Sequence, residues 1–141
     1  MRSTYQSITI NTPVEKVWDR VKNFHDFSFA PSVITKCEPV VNKNASEIGA
    51  KRVLNDAIHE TLIELNNETH TLRYSIDEGP TPVSSNDVKK YIGKLHLRPV
   101  TKDNTTFVEW SSSWDSDSED AVEFCQGIYV ALLDDLAKNV E

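Results

Sequence analysis

The sequence predicts an α+β domain in which a curved antiparallel sheet of about seven strands wraps a long C-terminal helix. Three observations predict it. The run Asp117–Val140 carries apolar residues at three- and four-residue steps (Ala121, Val122, Cys125, Ile128, Tyr129, Leu132, Leu133, Leu136 and Val140), which is one broad stripe of an α-helix. From Val33 to that helix, β-branched and aromatic segments alternate with short polar turns, the pattern of an antiparallel meander. A lone long helix must bury its stripe against something, and the sheet is the available partner. The 141 residues suit a single domain, 1–141, with length enough for a core.

In chain order, Thr4–Ile10 is rich in β-branched residues and predicts a first strand. Thr12-Pro13-Val14-Glu15 then has the spacing of a capping box with proline at the first helical position, and Val14, Val17, Trp18 and Val21 supply an amphipathic face behind it. Asn23–Ala30 predicts a second short helix, stopped at Pro31. Val33–Val41 is the next strand, its Pro39 pointing to an edge. Gly49–Leu54, Ile58–Leu65 and His70–Asp77 follow, joined by Asn55-Asp56-Ala57 and Asn66-Asn67-Glu68. Glu78–Asp87 is the one long loop with glycine and proline. Val88–Val100 and Thr105–Trp114 form a last hairpin, and Ser116 with Glu119 has the spacing of a box opening the final helix. The order is β-α-α, six strands, then one long helix.

A net charge of −7 without a cluster of Lys and Arg excludes a nucleic-acid or anionic-membrane surface. The first twelve residues lack the apolar stretch of a secretory leader and no 18-residue apolar run exists, so the expectation is a cytoplasmic protein without stable membrane insertion, monomer or homodimer. Cys37 and Cys125 read as small buried hydrophobes rather than a disulfide. His25, His59, His70 and His96 are dispersed and read as surface residues. With neither histidines nor cysteines at ligand spacing, no metal or other cofactor is expected.

Several short motifs, in order along the chain, carry a resemblance. Thr12-Pro13-x-Glu15-x-Val17-Trp18 resembles the P-x-x-x-V-W helix entry of the START-like, Bet v 1-like (SRPBCC) superfamily. Phe29-Ala30-Pro31-Ser32-Val33, Gly49-Ala50-Lys51-Arg52 and Glu60-Thr61-Leu62 resemble the segments that follow in that superfamily. Tyr74-Ser75-Ile76 with Pro80-x-Pro82-Val83 is similar to its bacterial polyketide cyclase/dehydrase and lipid-transport-like branch, and Val108-Glu109-Trp110 and Gly127-Ile128-Tyr129 complete the set. The resemblance implies a helix-grip fold with a ligand cavity between the sheet and the last helix. It departs from the superfamily pattern at Asn55–Ala57, which lacks the usual glycine, and at Ser84–Asp87, which lengthens the loop.

Strand phase then nominates cavity residues. Leu72, Tyr74 and Ile76 share one inward phase, Tyr91, Gly93, Leu95 and Leu97 another, and Val108, Trp110, Ser112 and Trp114 a third. The helix adds Cys125, Ile128, Tyr129 and Leu132, with Leu136 plugging the packed end and Gly127 leaving room. A three-residue turn at Asn55–Ala57 puts Arg52 opposite Glu60, in phase with Leu54 and Leu62, so that the pair points inward; a two-residue turn would pair Arg52 with His59 instead. An inward Arg52–Glu60 pair would orient a polar group on a ligand, whereas an outward one is an ordinary solvated ion pair. The expected ligand-binding set is therefore Arg52, Glu60, Leu72, Tyr74, Tyr91, Leu95, Trp110, Trp114, Cys125, Ile128, Tyr129 and Leu132.

Two functional readings follow. One is a binding protein for an apolar or aromatic ligand of lipid, polyketide or isoprenoid type. The other is a cyclase-, dehydratase- or aromatase-like enzyme in the same cavity, with Arg52, Glu60 or Tyr74 as catalytic candidates. The acidic run Asp115, Asp117, Glu119 and Asp120 stands at a helix N-terminus, where the dipole explains it without catalysis.

Overall fold

In the computed structural model, which describes residues 1–141, Arg2–Ile10 forms β1 and Val14–Val21 forms α1. Val17, Trp18 and Val21 are the buried face of α1. The predicted capping box does not form, because its members have tertiary partners. Pro13 is the N-cap, the buried Thr12 lends its carbonyl to the Thr106 hydroxyl at 2.7 Å, and Glu15 reaches His70 Nε2 at 2.8 Å.

The predicted helix over Asn23–Ala30 is absent. Asn23 and Asp26 instead accept the backbone N–H groups of His25 and Ser28 at 2.9 and 2.8 Å, making successive turns of the kind with which such side chains compete against helix. Those turns send Phe24, Phe27 and Phe29 into the core. Asp135, buried on the last helix, accepts the Ser32 N–H at 2.8 Å and ties the segment down.

The sheet continues with β2 (Cys37–Pro39), β3 (Lys51–Leu54), β4 (Ile58–Asn66), β5 (Thr71–Glu78), β6 (Lys89–Val100) and β7 (Thr105–Asp115). All pairings are antiparallel, in the order β1-β7-β6-β5-β4-β3-β2. β2 is far shorter than the predicted Val33–Val41, and its Pro39 lies on an edge strand, where a missing N–H costs no ladder bond. Seven strands and a long terminal helix are as predicted.

That helix, α2, spans Asp120–Val140 and lays Ala121, Cys125, Tyr129, Leu132, Leu133, Leu136 and Val140 on the concave sheet face. Its predicted box is also unformed. Ser116 Oγ accepts the Ser118 N–H and Ser118 Oγ the Asp120 N–H, each at 3.1 Å, so two serine turns lead in. Arg2 Nη1 on Glu119 Oε1, at 3.0 Å, fastens this entry to β1.

Two expectations about single residues are overturned. His25, His70 and His96 are half-buried rather than surface residues, and His70 stands edge-on to Trp18 with ring centres 5.5 Å apart. Gly127 is solvent-facing with no neighbouring atom within 4 Å of a would-be Cβ, so it opens no space inside.

Candidate functional site

The turn between β3 and β4 sets the first polar pair. Asn55 and Asp56 both adopt positive φ, a conformation that asparagine and aspartate tolerate without glycine, and the resulting register places Arg52 opposite Glu60. The pair points inward and is almost wholly buried, with side chains 5% exposed. Arg52 Nη2 and Nε lie 2.6 and 2.8 Å from one carboxylate oxygen, Glu60 Oε1, and Nη1 donates to the Phe24 carbonyl at 3.1 Å. Its guanidinium carbon sits 3.9 Å from the Phe24 ring centre and 4.7 Å from that of Phe27, a cation–π sandwich that holds its plane. Burial pushes the Glu60 carboxyl up, and the Arg52 charge opposes that.

The second polar group is a run of phenols. Trp110 Nε1 donates to the Tyr74 oxygen at 3.0 Å, Tyr74 and Tyr129 hydroxyls are 2.7 Å apart, Tyr129 and Tyr91 hydroxyls 2.6 Å, and Tyr91 reaches Cys125 Sγ at 3.5 Å. The indole can only give, and the sense in which every buried O–H finds an acceptor runs from Tyr74 to Tyr129, from Tyr129 to Tyr91 and from Tyr91 to the thiol, whereas the reverse sense leaves the Tyr74 proton without a partner. Burial holds all three phenols well above the usual tyrosine range, so each stays protonated and acts as a donor. Space for the Tyr74 ring comes from Gly93, its neighbour in register on β6, where a Cβ would lie 2.2 Å from Tyr74 Cζ. Tyr129→Phe removes the middle link. We expect it to lower unfolding free energy by about 1–3 kcal/mol, read from urea midpoints, because the Tyr74 donor is left buried without an acceptor.

Between these groups lies a cavity of about 40 Å³, room for one or two waters. Arg52 and Glu60 are the only charged residues in its wall. Of the predicted residues, Arg52, Glu60, Tyr74, Tyr91, Trp110, Cys125, Ile128, Tyr129 and Leu132 line it. Leu72, Leu95 and Trp114 do not. Leu72 and Leu95 pair with each other one step along β5 and β6, and Trp114 stacks behind Tyr91 at 5.2 Å. Strand phase had identified the right face but not the depth along it. Phe27, Ile34, Leu54, Ile58, Ile76, Val83 and Phe124 complete the wall. Leu54 and Ile76 carry the inward phase already read from the sequence, although they stand outside the expected binding set, and Ile58 shares the phase of Glu60. Phe27, Ile34 and Val83 lie on irregular segments that carry no periodicity.

The Glu78–Asp87 loop contributes Val83 and is folded back on itself. Glu78 accepts the N–H groups of Gly79 and Ser85 at 3.0 and 2.8 Å and the Ser85 hydroxyl at 2.8 Å, bonds that hold its carboxyl below the usual range.

The family model described as polyketide cyclase/dehydrase and lipid transport matches residues 1–141. The chain belongs to this family. Its structure is similar to that of a Nitrosospira multiformis protein, 48% identical, with a TM-score of 0.97 over 99% of this chain and 97% of that one. The protein XoxI from Bacillus cereus is 24% identical with a TM-score of 0.77, covering 99% of this chain and 96% of that one. Ginseng major latex-like protein 151 from Panax ginseng, only 15% identical, has a TM-score of 0.77 over 99% and 97% of the two chains. Those two likenesses show the fold alone, the helix-grip arrangement of Bet v 1-like proteins. No curated protein matches the chain. No helix here is long and apolar enough to cross a membrane.

Proposed function

We propose that this chain binds a small, largely apolar molecule between the sheet and α2, without a chemical step of its own. The observation that carries the reading is the makeup of the cavity wall, apolar and aromatic side chains around one buried ion pair and a fixed run of phenol donors. As it stands the cavity is far smaller than the roughly 300–1,000 Å³ of ligand pockets, so binding must open it. The place to open is the half-buried group Ile58, Ile76, Phe124 and Ile128, which together with Val83 on the loop joins the ends of β4 and β5 to the first turns of α2.

The cyclase- or dehydratase-like alternative has less support. Such a reaction needs a base, yet the phenols stay protonated and the Arg52 charge on one Glu60 oxygen weakens the basicity of the whole carboxylate. The test is uptake of a neutral apolar fluorophore, N-phenyl-1-naphthylamine, with native mass spectrometry of protein purified without denaturant. We expect one dye per chain, and a loss of tenfold or more in dye affinity when Ile128→Trp fills the opening. Protein that carries no ligand and takes up no dye would overturn the reading.

A further inference from the structure

We infer that the cavity selects neutral molecules bearing a hydroxyl or N–H and rejects carboxylates, with Glu60 Oε2 as the acceptor that reads the ligand's donor. This rests on the ligand-binding reading above.

Both close contacts from Arg52 fall on Glu60 Oε1, and the third goes to the Phe24 carbonyl. Oε2 takes no hydrogen bond from the protein, yet it is not among the polar atoms sealed away without a partner, and Glu60 is part of the cavity wall. It therefore borders the free space as an unused, charged acceptor. Of the phenols, Tyr74 and Tyr129 give their protons within the run, whereas Tyr91 gives its own only to a thiol at 3.5 Å, a weak acceptor. One strong acceptor and one transferable donor are thus on offer.

The electrostatics point the same way. Arg52 and Glu60 cancel, and no other charge lines the cavity. An anion would enter a low-dielectric space with no uncompensated cation to meet it and a carboxylate oxygen already facing it. A fatty acid is therefore a poor occupant, and a neutral alcohol or phenol of the same apolar size a good one. A carbonyl or ether elsewhere on the ligand would take the Tyr91 proton.

Three probes of one ring size test this in the wild-type protein by displacement of a bound apolar dye at neutral pH: 2-naphthol, 2-methoxynaphthalene and 2-naphthoic acid. 2-Naphthol should bind at least about tenfold tighter than either of the others, the effect of one hydrogen bond to a charged acceptor. Equal or tighter binding of the methoxy compound or the acid overturns the inference. Glu60→Gln leaves the Arg52 charge uncompensated and should shift the acid-to-naphthol ratio by tenfold or more toward the acid; a folded variant with an unchanged ratio also overturns it. If that variant does not fold, the three-probe order in wild type decides alone. Dye uptake with the wrong probe order removes only the selectivity, whereas failure of the dye and all three probes removes the ligand-binding reading with it.

Discussion

Gly93→Ala is expected to destabilise the protein by about 3 kcal/mol or more, at the upper end of what overpacking costs. The added Cβ would stand 2.2 Å from Cζ, 2.4 Å from the hydroxyl and 2.6 Å from Cε2 of Tyr74. Tyr74 has no room to yield. Its ring is 2% exposed, and its oxygen is held by Trp110 on one side and Tyr129 on the other. Relief has to come from moving strand β6 away from β5 or from breaking the phenol run, and each is expensive. Gly127→Ala is the matched control. Nothing stands within 4 Å of its Cβ, and it lies inside α2, so the same methyl should gain up to about 1 kcal/mol there. Urea denaturation of the two variants checks both signs, and a Gly93→Ala midpoint close to wild type would refute the packing account. Tyr74→Leu placed in the Gly93→Ala background should restore part of the loss, since it removes the obstructing atoms.

Arg52→Met is the second large effect, expected to cost about 3–5 kcal/mol near neutral pH because it strands the Glu60 carboxylate in the core. The loss should depend on pH in a stated direction. Burial already pushes the Glu60 carboxyl up, and removing the opposing Arg52 charge pushes it further. A carboxyl whose folded-state value lies above its unfolded value favours the folded state while both are protonated. That advantage disappears as pH rises from the ordinary carboxylate range through the raised one. The Arg52→Met deficit should therefore be smallest in acid and grow toward neutrality, whereas a pH-independent deficit would show that lost packing against Phe24 and Phe27 dominates. Arg52→Met with Glu60→Leu should recover much of the stability, since replacing both members of a buried pair is far less costly than removing one.

How much of this could be read before the structure was known depends on which physical rule set each feature. The Arg52–Glu60 pairing was legible because the length of a hairpin turn fixes register, and register fixes facing partners. Strand phase likewise sorted inward from outward side chains on β5, β6 and β7. It could not say how far along the sheet the cavity extends, because Leu72 and Leu95 obey the same alternation as Tyr74. Spacing reports what a side chain can do locally, while Thr12 and Glu15 have long-range partners in Thr106 and His70, and in the second box Ser116 closes a nearer turn on Ser118 as Glu119 pairs with Arg2. The Asn23–Ala30 segment failed as a helix because Asn23 and Asp26 close turns on their own backbone. Of the two glycines, Gly93, read from strand phase as inward, supplies the space that Gly127 was expected to give.

The run of phenols has one more consequence. Hydroxyls linked only to one another can order their protons in either sense, and such a chain interconverts between two mirror arrangements. Trp110, which can give but not accept, disfavours one of them, because that sense leaves the Tyr74 proton buried without an acceptor. The three O–H dipoles are thereby biased head to tail, from the indole toward Tyr91 and Cys125. The wall of the cavity presents a ligand with a standing electric direction that no rotation of a single hydroxyl can reverse.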